Sequence, residues 1–203
     1  METHTVVDRL ISKGRESVEK IRGYDQRQID EVVRAIGKAV YDNADMLAEI
    51  AVRETGYGKI ESKIVKNKRT SMAAWYFLKD KKSTGIVEEI PEKNLVTMAK
   101  PAGVVACITP TTNPTATITV NCMHVLKGKN AAVVSPHPKS KIASIETVNI
   151  LRKAIADVGA PEDLIQIVED PSTQLTQEIM RNADVIVATG GASMVKAAYS
   201  SGK

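Results

Sequence analysis

The sequence predicts an α/β fold: a Rossmann-like parallel sheet with helices on both faces, preceded by an N-terminal helical region and a short β-hairpin. Three observations predict it. From Lys100 onward, short β-branched apolar runs at 103–109, 131–135, 164–168 and 185–189 alternate with helical stretches near 114–127, 139–157, 172–182 and 191–200. Strands and helices alternating in this way build βαβ units and a parallel sheet. Before that, residues 1–83 carry apolar positions at helical spacing, and residues 84–100 change to a strand-turn-strand pattern. The chain is therefore divided into an N-terminal helical region (1–83), a hairpin or pair of edge strands (84–100) and a dinucleotide-binding α/β region (101–203).

Each element has a local cause. Val6, Val7, Leu10, Ile11, Val18 and Ile21 form the stripe of a first helix, which Gly23-Tyr24 ends. Asp25 caps the next helix, with Gln28 three residues on as its capping-box partner. Ile29, Val32, Val33, Ile36, Val40, Leu47 and Ile50 continue the stripe, with a break expected near Asp42-Asn43. Glu54-Thr55-Gly56-Tyr57-Gly58 closes that region, glycine being the usual stop past a helix. A helix from Lys59 to about Lys79 carries Ile64, Met72, Trp75, Tyr76 and Leu78, and its adjacent aromatics read as packing rather than as a ligand cage. Ile86-Val87 and Leu95–Met98 flank the turn residues Pro91–Asn94.

Composition narrows the function classes. With 43% hydrophobic and 26% charged residues the chain suits a globular protein. It contains no run of about 18 apolar residues, so no membrane span is expected. Its start, Met1-Glu2-Thr3-His4, lacks the basic head and apolar core of a signal peptide, which makes a cytoplasmic location the expectation. Cys107 and Cys122 sit inside apolar patterns and read as small buried hydrophobes, and no disulfide framework is indicated. His4, His124 and His137 form no ligand spacing with each other or with cysteine, so no metal site is expected. Net charge is +4, with basic residues clustered in 59–69 and 79–82. Such runs usually form one solvated helix face. With 3% aromatic residues the chain offers no stacking platform for single strands, and nucleic acid is not an expected partner.

The candidate site residues lie at strand ends. In open α/β sheets ligands bind outside the carboxyl edges of the strands, and the phosphate glycines usually follow the first strand. Here Thr109-Pro110-Thr111-Thr112-Asn113-Pro114 occupies that turn. Its hydroxyls and amide can meet a ligand oxygen; equally, the segment can be a proline-stiffened turn with capping threonines. The glycine pair appears three strands later, in Thr189-Gly190-Gly191, opening a helix. It can admit a phosphate, or simply supply φ > 0 at a strand-to-helix turn. Ser135-Pro136-His137-Pro138 ends the second strand and lacks the carboxylate that usually reads a ribose 2′-hydroxyl. His137 there either contacts an adenosine or is a surface-loop residue. No nucleophile stands out, since Cys122 and His124, two apart on a helix, do not face each other.

Taken together, Glu54-Thr55-Gly56, Pro110–Pro114, Ser135–Pro138, Gly159-Ala160-Pro161 and Ala188–Gly191 running on through Met194–Lys203 resemble the aldehyde dehydrogenase superfamily. They are most similar to its coenzyme A-acylating branch, which includes the dehydrogenase half of aldehyde–alcohol dehydrogenase and the succinate-semialdehyde and sulfoacetaldehyde dehydrogenases. The resemblance implies oxidation of an aldehyde with NAD, or alternatively NADP. The acyl group would pass from an enzyme cysteine to coenzyme A as co-substrate, within a homo-oligomer. It also implies that Ile108, Thr109, Pro110, Thr111, Thr112 and Asn113 line the nicotinamide side of the cofactor. Ser135, His137 and Pro138 would lie near the adenosine, and Gly190 and Gly191 would approach the pyrophosphate.

The family's catalytic cysteine falls downstream of the segment matching Ala188–Lys203, and neither Cys107 nor Cys122 matches it. The expectation is a cofactor-binding portion that binds dinucleotide, turns over no aldehyde by itself, and leaves a sheet edge open for a further strand. Two rival readings are a standalone nucleotide-binding module and a partner-docking module using the amphipathic first helix. A third would set the basic helix of 59–82 on nucleic acid.

Overall fold

The computed structural model describes residues 2–203, with side chains from Thr5 onward, so Met1 and the imidazole of His4 lie outside the described residues. Four helices come first: α1 (Glu2–Lys20), α2 (Gln26–Asp42), α3 (Ala44–Thr55) and α4 (Ile60–Leu78). A hairpin follows, β1 (Gly85–Ile90) and β2 (Leu95–Ala99). The α/β region then runs β3 (Val104–Ile108), α5 (Pro114–Lys127), β4 (Ala131–Ser135), α6 (Lys141–Asp157), β5 (Ile165–Ile167), α7 (Thr173–Asn182), β6 (Val185–Ala188) and α8 (Ala192–Tyr199).

Local chemistry sets the helix boundaries. Asp25 accepts the Gln28 backbone N–H at 2.8 Å while the Gln28 side chain accepts that of Asp25 at 2.9 Å, the reciprocal capping box expected from the sequence. Asn43 separates α2 from α3 where the break was expected. Gly56 and Gly58 take φ of +69° and +83°, a left-handed conformation that side-chain-bearing residues rarely adopt, and so turn the chain from α3 into α4.

The four-stranded sheet is parallel, in the order β5-β4-β3-β6. Strands β3 and β4 are buried along their whole length, as strands covered on both faces must be. Helices α5 and α6 cover one face, with α2, α3 and α4 packed outside them; α1 and α7 cover the other. A Cβ at Gly14 would come within 3.2 Å of Val104 and 3.3 Å of Ala131, so the glycine lets α1 approach the sheet closely. One core joins the helical region and the α/β region, including fully buried Ile29, Ile36, Leu47, Ile118 and Leu151. Burying each such side chain contributes roughly 1.5–3 kcal/mol.

Three expectations are corrected. The first helix does not present its apolar stripe to a partner, because Val7, Leu10, Ile11, Val18 and Ile21 are spent on the core against α7 and the sheet. Of the α4 aromatics only Trp75 packs against the core; Tyr76 and Phe77 are each 59% exposed and carry Lys79 and Lys81 over their rings. Instead α4 buries Lys63, Asn67, Ser71, Ala74 and Leu78. The basic run of 59–69 is therefore not one solvated face. Of the two forms expected for 84–100 the structure has the hairpin, a sheet of its own with Leu95, Val96 and Met98 exposed. Among the described residues no helix is long and apolar enough to cross a membrane.

Candidate functional site

Strand order reverses at β3: β4 and β5 lie on one side of it and β6 on the other. Ligands of open α/β sheets bind outside the carboxyl ends of the strands at such a switch point. A cleft of about 720 Å³ opens there. The loops after β3, β4 and β6 line it with Ile108, Thr109, Pro110, Thr111, Thr112, Ser135, His137, Pro138, Gly190 and Gly191. Three segments far apart in sequence thus converge on one space. Asn113 turns away, its amide oxygen accepting from the Lys66 ammonium at 2.8 Å.

The structure also brings in residues that sequence reasoning missed. Tyr57 reaches the cleft from the α3–α4 turn, Lys139 follows the β4 loop, and Ser172, Thr173 and Thr176 come from the start of α7. The signal for Tyr57 was its position between two glycines, and that for Ser172 was its fitness as an N-cap ahead of α7.

Hydroxyls dominate the lining, and among the described residues no carboxylate contributes to it. The hydroxyls of Thr109 and Thr111 are buried without a hydrogen-bond partner. A buried donor left unpaired costs about 1–3 kcal/mol. Ser135 differs. It shares a 2.8 Å hydrogen bond with Thr176, whose own hydroxyl donates to the Ser172 carbonyl at 2.9 Å. At His137, Nδ1 accepts the Lys139 backbone N–H at 3.1 Å, which leaves Nε2 to carry the proton and face outward as a donor.

The helix N-termini around the cleft are treated differently. Glu54 caps α6, its two carboxylate oxygens each accepting a backbone N–H, from Ile142 and Ala143, at 2.7 Å. Ser172 caps α7 through the Leu175 N–H at 3.1 Å. By contrast, α5 and α8 have no side-chain cap and no acidic residue in the first turn. The threonines of 109–112 therefore do not cap α5, although Asn113 and Pro114 stand at its N-cap and first position as a proline-stiffened turn requires. The conformational reading of the glycine pair fails, since neither Gly190 nor Gly191 has positive φ. A Cβ at Gly190 would press on Met194 at 3.2 Å, whereas one at Gly191 would meet nothing within 4 Å. An uncapped helix end beside open space favours an anion.

Neither cysteine reaches the cleft. Cys107 and Cys122 are wholly buried; burial pushes the Cys107 thiol up to about 12 and raises Cys122 well above the ordinary value, with Cys107 beside it adding to the rise. Thiols in such surroundings are not nucleophiles at neutral pH. Among the described residues no group of three histidine, cysteine or acidic side chains could hold a metal ion.

Comparison with known proteins identifies the family and the fold. The sequence profile of the aldehyde dehydrogenase family matches residues 1–203. Succinate-semialdehyde dehydrogenase (acetylating) of Clostridium kluyveri is 48% identical over the whole chain, which covers 45% of that protein. An acetylating aldehyde dehydrogenase from Geobacillus thermoglucosidasius superposes with a TM-score of 0.97 at 36% identity, over 100% of this chain and 45% of that one. An engineered glycolyl-CoA reductase with bound NADP+ superposes with a TM-score of 0.81 at 30% identity, over 97% of this chain and 45% of that one. The chain spans less than half the length of these relatives.

Proposed function

Because the chain belongs to the aldehyde dehydrogenase family, we propose that its cleft binds a nicotinamide dinucleotide and that the chain supplies the cofactor-binding part of a coenzyme A-acylating aldehyde dehydrogenase. The observation that carries the reading is the cleft at the switch point, free of carboxylates among the described residues, with two orphaned threonine hydroxyls and the uncapped end of α8. These features suit a ligand rich in phosphate and hydroxyl oxygens. Ile108–Thr112 would hold the nicotinamide side, His137 and Pro138 the adenosine side, and Gly190 and Gly191 the pyrophosphate. Asn113 would act indirectly, through the loop it belongs to. Ser135 would do so through its bond to Thr176.

The dinucleotide, when bound, supplies a hydride acceptor. The chain's own residues bind and orient it. Among the described residues no acidic group stands at the end of β4 either to hold a ribose 2′-hydroxyl or to repel a 2′-phosphate, so the lining itself does not discriminate; NAD is proposed from the family resemblance, and NADP is accommodated too. In the acylating reaction coenzyme A takes the acyl group, and the names of the relatives point to short aldehydes such as succinate semialdehyde. The acyl-carrying thiol is neither Cys107 nor Cys122, so the 203-residue chain binds dinucleotide without forming acyl-CoA. Acyl-CoA formation abolished by Cys122→Ala would contradict this.

The direct test is calorimetric titration of NAD+ and NADP+ into the native chain and into Gly191→Val. A side chain at 191 enters open space from an extended backbone that any residue adopts, so folding is preserved. The expected result is binding by the native chain and a loss of about tenfold or more in Gly191→Val at an unchanged melting temperature. No binding by the native chain, or native affinity in the variant, would overturn the reading.

A further inference from the structure

Helix α4 buries polar side chains at positions four apart, Lys63, Asn67 and Ser71, where a core-facing helix would ordinarily place aliphatic ones. Burying an ammonium without compensation is expensive. Two of the three are aimed at one target. The Lys63 ammonium donates to the Thr112 carbonyl at 2.9 Å, and the Asn67 amide oxygen accepts from the Thr115 hydroxyl at 2.8 Å. Lys66, one turn along, adds the bond to Asn113.

The target needs them. Thr109 and Thr189 extend the sheet ladder at its rim, but no backbone–backbone hydrogen bond involves residues 110–112. Among the described residues, the hydrogen bonds that reach residues 110–113 from an element other than α5 come from the α4 side chains Lys63 and Lys66. Thr112 O is the acceptor next in the chain to the orphaned Thr111 hydroxyl. Lys63 is itself confined. Gly58 lies against its stem, where a Cβ would come within 3.3 Å of Lys63 Cε, and the residue is 7% exposed.

We propose that Lys63 is a positioning residue of the cleft: its ammonium, fixed on the Thr112 carbonyl, holds the Pro110–Asn113 loop so that Thr111, beside the sheet-anchored Thr109, presents its hydroxyl to the nicotinamide half of the dinucleotide. This rests on the dinucleotide reading above. An aliphatic residue at 63 would fill the space at lower desolvation cost but would leave the Thr112 carbonyl unpaired and the loop free to shift. An ammonium–carbonyl bond is charge-assisted and stronger than a neutral one. Burial, and secondarily the neighbouring Lys66, lower the Lys63 pKa, so holding the charge there has a cost.

The test compares two ligands in the 203-residue chain, NAD+, which spans the cleft, and AMP, which occupies only the adenosine side. Lys63→Met is expected to weaken NAD+ by about tenfold or more while AMP affinity and melting temperature stay near native, and Lys63→Arg to recover most of the loss. If Lys63→Met does not fold, Lys63→Gln, uncharged and too short to reach the carbonyl, takes its place with the same expectation. Native NAD+ affinity in these variants, or an equal fall in NAD+ and AMP affinity, would overturn the positioning role. A native chain that binds neither ligand would instead remove the dinucleotide reading on which it rests.

Discussion

Asp163 shows how a single side chain is tuned by its neighbours. Burial alone would raise its carboxyl, but hydrogen bonds from Gln166 and Arg152, with the charges of Lys13 and Arg152, outweigh burial and hold it below the ordinary value of 3.8. A carboxyl depressed in the folded state contributes stability that is complete above its unfolded value and disappears as pH falls through the folded one. Asp163→Asn is therefore expected to cost about 1 kcal/mol at pH 7, the group being 30% exposed. The gap should close toward pH 3. Urea unfolding of both proteins at the two pH values checks this, and a gap that stays constant or widens on acidification contradicts it.

At the scale of elements, the start of α6 depends on a residue 88 positions earlier. Glu54 ends α3, yet its carboxylate serves two N–H groups of another helix, and in doing so it fixes the segment leading out of the β4 loop. Glu54→Ala is expected to destabilise the chain by about 1–2 kcal/mol, the usual cost of a lost N-terminal cap. The shift in urea midpoint measures it; a shift below a few tenths of a kcal/mol would mean that water replaces the carboxylate. The same scale explains why Tyr76 and Phe77 stay outside the core. They lie with Met72 on the exposed side of α4, while α2, α3 and α5 approach the helix along the line of Lys63, Asn67, Ser71, Ala74 and Leu78.

For the whole molecule, the sheet has two unlike edges. Strand β5 is only three residues long, whereas β6 has an open side with Val185 and Val187 more than a third exposed. Open strand edges carrying apolar side chains promote pairing between chains, and lysine is the usual protection. Val185→Lys with Val187→Lys is expected to raise the concentration at which the chain begins to associate, read by light scattering. An unchanged onset would place the association elsewhere, the exposed hairpin being the next surface to alter.

The sequence by itself determined the order of elements. Periodicity, the Asp25–Gln28 box and the punctuation at Gly23, Asn43 and Gly56 are local, and local chemistry fixes where helices and strands begin and end. It also brought most of the cleft into view, because strand ends in a parallel sheet face one rim whatever the distance between them in sequence. Only the tertiary structure decided which polar groups are left unpaired there and which are consumed. Ser135 is taken by Thr176, Asn113 by Lys66 and the α6 terminus by Glu54, while Thr109, Thr111 and the α8 terminus remain open. Hydrogen-bond satisfaction depends on partners tens of residues away, and so do the buried Lys63 and the position of Tyr57. No periodicity in one chain encodes such pairings, because they arise only when separate elements are packed against each other.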